Sequence, residues 1–253
     1  MSTGTKVEAN AKTVRNMDES MSLDELFSRY SEVKDAVINE AEHSRWKQKV
    51  VLIAVSKKQS IDKIEALYRL GHRDFGENYP QELVTKAKEM EERGYGDVRW
   101  HLVGHLQTNK VKIVLPYLAS IHSVDSEKLA SELAKRLAQL SETSQMETRT
   151  LPVFIEVNLD AEASKSGFSP DEVLRLAESI GKMKELQLQG LMCIPSPKQD
   201  PALAFERLRK LEQECRPLSC GFLSMGMSHD YRIAIQHGAT HIRVGTALFG
   251  ERG

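Results

Sequence analysis

The chain has 253 residues, 40% of them hydrophobic and 28% charged, with 35 Lys and Arg against 36 Asp and Glu. That length and balance describe an ordinary globular protein and speak against a polyanion-binding surface or an acidic tail. No apolar run approaches the roughly 18 to 20 residues that span a bilayer, and the N-terminus lacks both a signal-peptide core and a myristoylation glycine.

Cys193, Cys215 and Cys220 form no C-x-x-C pair, so free thiols in a reducing, cytoplasmic compartment are expected. Residues 1–21 are polar, small and without periodicity, which reads as a disordered tail ahead of one domain over 22–253. Ser22-Leu-Asp-Glu25 reads as a capping box, and Leu23, Leu26, Phe27, Tyr30, Val33 and Val37 follow it at helical spacing. From Val50 onward short apolar runs alternate with amphipathic segments. The runs are Val50–Ser56, His72–Gly76, Arg99–Gly104, Ser120–Val124, Leu151–Leu159, Leu186–Ile194, Phe222–Met227 and His241–Leu248. Between them, Gly71 marks a helix stop, Ser169-Pro-Asp-Glu172 and Asp200-Pro201 mark helix starts, and a short helix from near Ser228 closes at Gly238. The polar stretch Ser141–Thr150 reads as a surface loop.

Strands apolar on both faces and separated by helices imply parallel pairing. Eight such units fit a closed (β/α)8 TIM-type barrel better than an open doubly wound sheet, which stays open as the alternative. Seven helices follow the first strand in this reading, so the N-terminal helix is expected to cover the remaining wall.

In such barrels the active site forms at the C-terminal ends of the strands. There the sequence places Lys57, then Glu77 and Asn78, Gly104 and His105, Ser123, Asn158, Ser228, and finally Arg243, Gly245 and Thr246. An amine emerging from an apolar strand is partly desolvated, which frees its lone pair for attack on a carbonyl, unless Lys57 is simply solvated there. Gly245, Thr246 and Ser228 offer backbone N–H groups, hydroxyls and a helix start suited to a phosphate, or else serve only tight turns. Arg243 is a permanent donor whose alternative is a surface ion pair. Metal binding is not supported, because His101 and His105 on one strand would stand about 13 Å apart. Nor is there a G-x-S-x-G elbow, a Walker A loop or a GxGxxG.

Seven motifs occur in order: Ala54-Val-Ser-Lys57, Phe75-Gly-Glu-Asn-Tyr79, His101-Leu-Val-Gly-His-Leu-Gln-Thr-Asn-Lys110, Ser164-Lys-Ser-Gly-Phe168, Gly190-Leu-Met192, Leu223-Ser-Met-Gly-Met-Ser228 and Ile242-Arg-Val-Gly-Thr-Ala-Leu-Phe-Gly250. Together they closely resemble the pyridoxal phosphate homeostasis protein family. The resemblance implies a fold-type III barrel like the N-terminal domain of alanine racemase, with pyridoxal 5′-phosphate (PLP) held as a Schiff base on Lys57. It also implies that Ser228, Gly245 and Thr246 hold the phosphate, that Arg243 faces the pyridine nitrogen, and that Asn78 lines the pocket near the ring. Pro80 after the Glu77-Asn-Tyr79 run and Cys193-Ile-Pro-Ser-Pro197 depart from the expected pattern at the pocket edges.

A PLP carrier for storage, buffering or delivery is the expected function, with PLP and PLP-dependent apoenzymes as partners and neither nucleic acid nor a membrane involved. A monomer is expected. The alternative is an amino-acid racemase-like enzyme, which needs a second base that alanine racemase takes from another domain; with Gly253 just after the eighth strand, no such domain is expected. An arginine at the pyridine nitrogen also weakens the ring as an electron sink. A class I aldolase shares the lysine and phosphate logic but lacks a paired carboxylate relay. Asp160–Gly167 is expected to gate release.

Overall fold

Eight short strands pair in parallel, each with its sequence neighbour, and the last returns to the first to close a barrel. They are β1 (Val51–Val55), β2 (Asp74–Glu77), β3 (Arg99–Leu102), β4 (Leu118–Val124), β5 (Leu151–Val157), β6 (Leu186–Cys193), β7 (Phe222–Ser224) and β8 (His241–Val244). This computed structural model describes residues 21–143, 149–160 and 166–251. The expected tail, apart from Met21, lies outside the described residues. So do 144–148 of the expected surface loop and 161–165 of the expected gate.

The helices are α1 (Leu23–His43), α2 (Ile61–Arg69), α3 (Pro80–Glu92), α4 (Val111–Val114), α5 (Glu127–Thr143), α6 (Pro170–Gly181), α7 (Pro201–Glu214), α8 (Tyr231–Gln236) and α9 (Thr246–Phe249). Helix α6 starts as the sequence predicts: Ser169 and Glu172 form a reciprocal capping box, with Pro170 in the first turn. Asp200 caps α7 by accepting from the Ala202 N–H at 2.9 Å. None of the described helices is long and apolar enough to cross a membrane.

The observed strand bounds depart from the predicted runs, as where β7 stops at Ser224 instead of Met227, and α5 continues through Thr143 into the expected loop; two departures bear on the site. Strand β8 stops at Val244, and the expected extension to Leu248 is instead the one-turn helix α9 capped by Gly245. Among the described residues eight α-helices therefore follow β1, and α1 lies against the outer layer. It buries Leu26, Tyr30, Val33 and Val37, and it bonds to the α8 end through Ser44 Oγ to the Ile235 carbonyl (3.2 Å) and Gln236 Nε2 to Glu40 (2.7 Å). Helix α8 begins at Tyr231, three residues later than expected, because Asp230 turns back to accept the Met227 N–H at 2.6 Å.

Outward-facing residues of the strands, such as Phe75, Leu102, Ile121, Ile155, Ile242 and Val244, form the apolar core under the helices. The lumen is different: it is aromatic and polar. Phe154 stacks on His122 at 4.4 Å between centroids and meets His241 edge-on at 5.0 Å. Such rings must stay uncharged. Complete burial, reinforced by His101, His241 and Arg243, holds His122 well below its ordinary value. Burial likewise pushes His72, under α1, down to about 4.

On unfolding, both histidines return to about 6.5. The unfolded chain then binds protons that the folded chain does not, so stability falls as pH drops below about 6.5, by up to about 1.4 kcal/mol per pH unit for each histidine. Urea denaturation between about pH 6.5 and 5 should show this decline, offset only in part by the buried Glu156 carboxyl, which is raised to about 6 and acts with the opposite sign. A flat profile there would mean that the interior histidines are already charged.

Candidate functional site

The register of the closing strands decides which residues meet. Ile53 pairs with Arg243 and Ala54 with Val244, so the turn after β1 and the turn after β8 leave the barrel side by side. One cavity of about 240 Å³ at this C-terminal end is lined by Lys57, Asn78, Ser228, Arg243, Gly245 and Thr246. All six residues singled out from the sequence are thus brought together. Val55, Val103, Ile194 and Met227 supply apolar wall, and His229 also borders the space.

Lys57 is half-buried in the first position of the turn that ends β1. Beneath that turn lies a buried ionic knot. Lys86 Nζ, reaching from α3, donates to the Ser56 carbonyl (2.6 Å), to Glu77 Oε1 (2.7 Å) and to Glu82 Oε1 (2.7 Å). Ser56 Oγ also donates to Glu77 Oε1 at 2.7 Å, and Ser56 and Glu77 are wholly buried. Burial raises the Glu77 carboxyl, with the Lys86 charge opposing the rise. The knot ties the ends of β1 and β2 to α3, and so fixes where the Lys57 amine starts.

On the opposite edge of the cavity, Ser228 Oγ accepts N–H bonds from Gly245 (3.2 Å) and Ala247 (3.1 Å). This corrects the expectation that Ser228 opens a helix. It sits in a turn, and the N–H groups around it come from the β8–α9 junction. The turn requires Gly226, whose φ is +94°; a Cβ there would lie 2.6 Å from the Ala234 methyl. Gly104 has a related role, since its Cβ would lie 2.5 Å from the Asn78 carbonyl and push Asn78 from the cavity wall.

Arg243 forms part of the cavity floor and is almost completely buried. Its guanidinium donates to Ser224 Oγ (2.7 Å) and to the Cys193 carbonyl (2.9 Å), two of five available donors. Burial lowers its proton affinity, with Glu156 among the charges opposing the change. Glu156, above Phe154 on β5, is itself raised to about 6 by burial and by the Asp125 charge. An adjoining depression of about 340 Å³ shares Asn78 and is lined by His105, Gln107 and Lys110. His105 lies beyond the end of β3 and pairs with Asp125 at 2.5 Å.

An amine, a buried cation and a hydroxyl–amide cradle around one small cavity suit a ligand with a carbonyl, a ring acceptor and an anionic group. The alanine racemase N-terminal domain family model matches residues 36–253. The pyridoxal phosphate homeostasis protein of Vibrio cholerae is 40% identical over 214 residues, covering 82% of this chain and 88% of that protein. The chain belongs to the pyridoxal phosphate homeostasis protein family. PipY of Synechococcus elongatus, solved both without PLP and with PLP bound, superposes with TM-scores of 0.78 and 0.76 at 31% identity, over 89% of this chain and 100% of that one. An alanine racemase from Clostridium difficile, 13% identical with a TM-score of 0.68, shares the barrel fold over 91% of this chain and 60% of its own.

Sequence reasoning missed the groups that hold this family's cavity in place from behind: Lys86, Ser224 and the lumen histidines. The signal was present in β4, where Ser120 and His122 interrupt an apolar strand at a spacing of two and so share a face. Lys86→Met would strand the buried Glu77 without its counter-charge. We expect a loss of about 3 kcal/mol in urea denaturation near neutral pH, shrinking at lower pH as Glu77 takes up a proton. A cost independent of pH would show that the ion pair is not what the substitution removes.

Proposed function

We propose that this chain binds PLP in the cavity between the β1 and β8 turns and serves in PLP homeostasis as a store or donor of the cofactor, without turnover of its own. The observation that carries this is the convergence of Lys57, Arg243 and the Ser228–Gly245–Thr246 cradle on one cavity. The residues fit the group. Lys57 would be linked to its aldehyde, Arg243 would donate to its ring nitrogen, Ser228 and Thr246 with nearby backbone N–H groups would hold its phosphate, and Asn78 would border the ring.

Bound PLP supplies an electron sink for bonds at an amino-acid α-carbon, and that sink is strongest when the ring nitrogen is protonated. Arg243 opposes such protonation. It does not give up a proton near neutrality, and its anchorage by Ser224 and Cys193 keeps it a donor. This supports storage over turnover. We further propose PLP-dependent apoenzymes as acceptors, a monomer as the working form and the cytoplasm as its place.

The test is absorption spectroscopy of the protein mixed with PLP, before and after borohydride. A visible band that borohydride abolishes while leaving the cofactor's mass permanently on the Lys57 peptide, with band and added mass both missing in Lys57→Ala, is the expected result. Ser228→Ala should weaken PLP binding about tenfold through loss of one charge-assisted hydrogen bond. A wild-type protein that shows no such band would sink the PLP reading, and amino-acid racemisation or decarboxylation above the free-PLP rate would overturn the non-enzymatic one.

A further inference from the structure

Behind Arg243 the lumen contains a continuous string of hydrogen bonds. Arg243 Nη1 meets Ser224 Oγ at 2.7 Å, and Ser224 Oγ meets His122 Nδ1 at 2.7 Å. His122 Nε2 meets Ser120 Oγ at 2.8 Å, and Ser120 Oγ meets His101 Nδ1 at 2.7 Å. His101 Nε2 ends the string on Asp74 Oδ1 at 3.0 Å. Asp74 is the first residue of β2, at the end of the barrel remote from the cavity, and Arg99 grips it through two further bonds of 2.7 and 2.5 Å. Burial alone would raise the Asp74 carboxyl, but the bonds from His101 and Arg99 hold it well below the usual range.

The two ends allow only one direction. A guanidinium can only donate, so Ser224 Oγ accepts from Arg243; its own buried proton is satisfied only on His122 Nδ1, since a second acceptance from an Nδ1–H would leave that proton without a partner. His122 is then neutral with its proton on Nε2, which it gives to Ser120. The Ser120 hydroxyl in turn donates to His101 Nδ1, and the His101 Nε2–H meets the Asp74 carboxylate, which can only accept. Every hydroxyl in the string gives one bond and takes one. The groups packed around His122 agree with this neutral form: His101 from β3, Phe154 from β5, and His241 and Arg243 from β8 surround it, and among the described residues no carboxylate stands beside it to favour a charge.

We propose that this one-way string makes Ser224 and His122 positioning residues for the cofactor site: they fix the Arg243 guanidinium against the ligand from behind, with Asp74 as the distant anchor. The proposal rests on the reading that the cavity takes PLP, but the string itself is a property of the ligand-free chain. A guanidinium end does not release its proton, so the string orients and does not conduct.

Nitrogen-15 NMR of the ligand-free protein tests the string directly. We expect His122 as the Nε2–H tautomer, without titration between about pH 5.5 and 8.5. An Nδ1–H tautomer at His122, or its titration in that window, overturns the proposal even if no variant folds. The link to the site is then read by PLP titration. Ser224→Ala should raise the Kd about tenfold, as expected for losing one hydrogen bond to a charged group, and move the visible band, while Ser224→Thr, which keeps the hydroxyl, should restore both. Wild-type binding with Ser224→Ala unchanged in affinity and spectrum refutes the positioning role; absence of PLP binding in the wild type refutes instead the functional reading, leaving the tautomers to judge the string.

Discussion

Closure of the barrel is the constraint on which the rest depends. Lys57 and Thr246 stand at opposite ends of the folded sequence, and only the pairing of β1 with β8, in the register Ile53 to Arg243, sets them on one rim. Parallel pairing then gives every strand the same polarity, so all eight C-terminal ends point toward the same face. Most of the described cavity wall comes from these turns, with Val55 of β1 and Arg243 of β8 beneath them. Its shape is set by where each turn leaves its strand, which is why Gly226 and Gly104, each with backbone or a methyl pressed against its α-carbon, matter as much as the polar residues.

Polar groups behind that rim are costly to bury and are held by the bonds they make to one another, although Glu77 bonds through Oε1 alone. The Ser56–Glu77–Lys86–Glu82 knot lies outside the strand ends, under α3; the serine–histidine string lies inside the lumen. The knot fixes the backbone from which the amine projects, and the string fixes a side chain. Ion pairs of this burial contribute little net stability, since desolvation offsets most of their attraction; what they provide is a single geometry. A lumen filled with leucine and valine would satisfy packing equally well but could not tell one orientation of a guanidinium from another.

Much of this could be read in the sequence, for identifiable reasons. The eight strands were legible because each is a short apolar run between helix starts and stops, and the six pocket residues because a parallel barrel sends every strand end to one face. The one-turn helix α9 was misread as strand since Thr-Ala-Leu-Phe is too short for its period to show. Ser228 looked like a helix start, but the Asp230 carboxylate holds the Met227 N–H and delays the helix to Tyr231. The contacts of Lys86 with Ser56 and of His122 with Ser224 join residues 30 and 102 positions apart, and no local pattern announces such partners.

The three cysteines divide along the same axis as the barrel. Cys193 is buried at the C-terminal end of β6, where its carbonyl serves Arg243, and Cys215 is buried with its thiol pushed up to about 11, mainly by burial. Only Cys220 is exposed, in the turn that leads into β7 at the face remote from the cavity. A thiol-reactive reagent would therefore attach at one point, on the opposite side of the molecule from the pocket. The protein carries its own handle for a fluorophore or a surface tether, placed where immobilising the molecule leaves the mouth of the barrel open to solution.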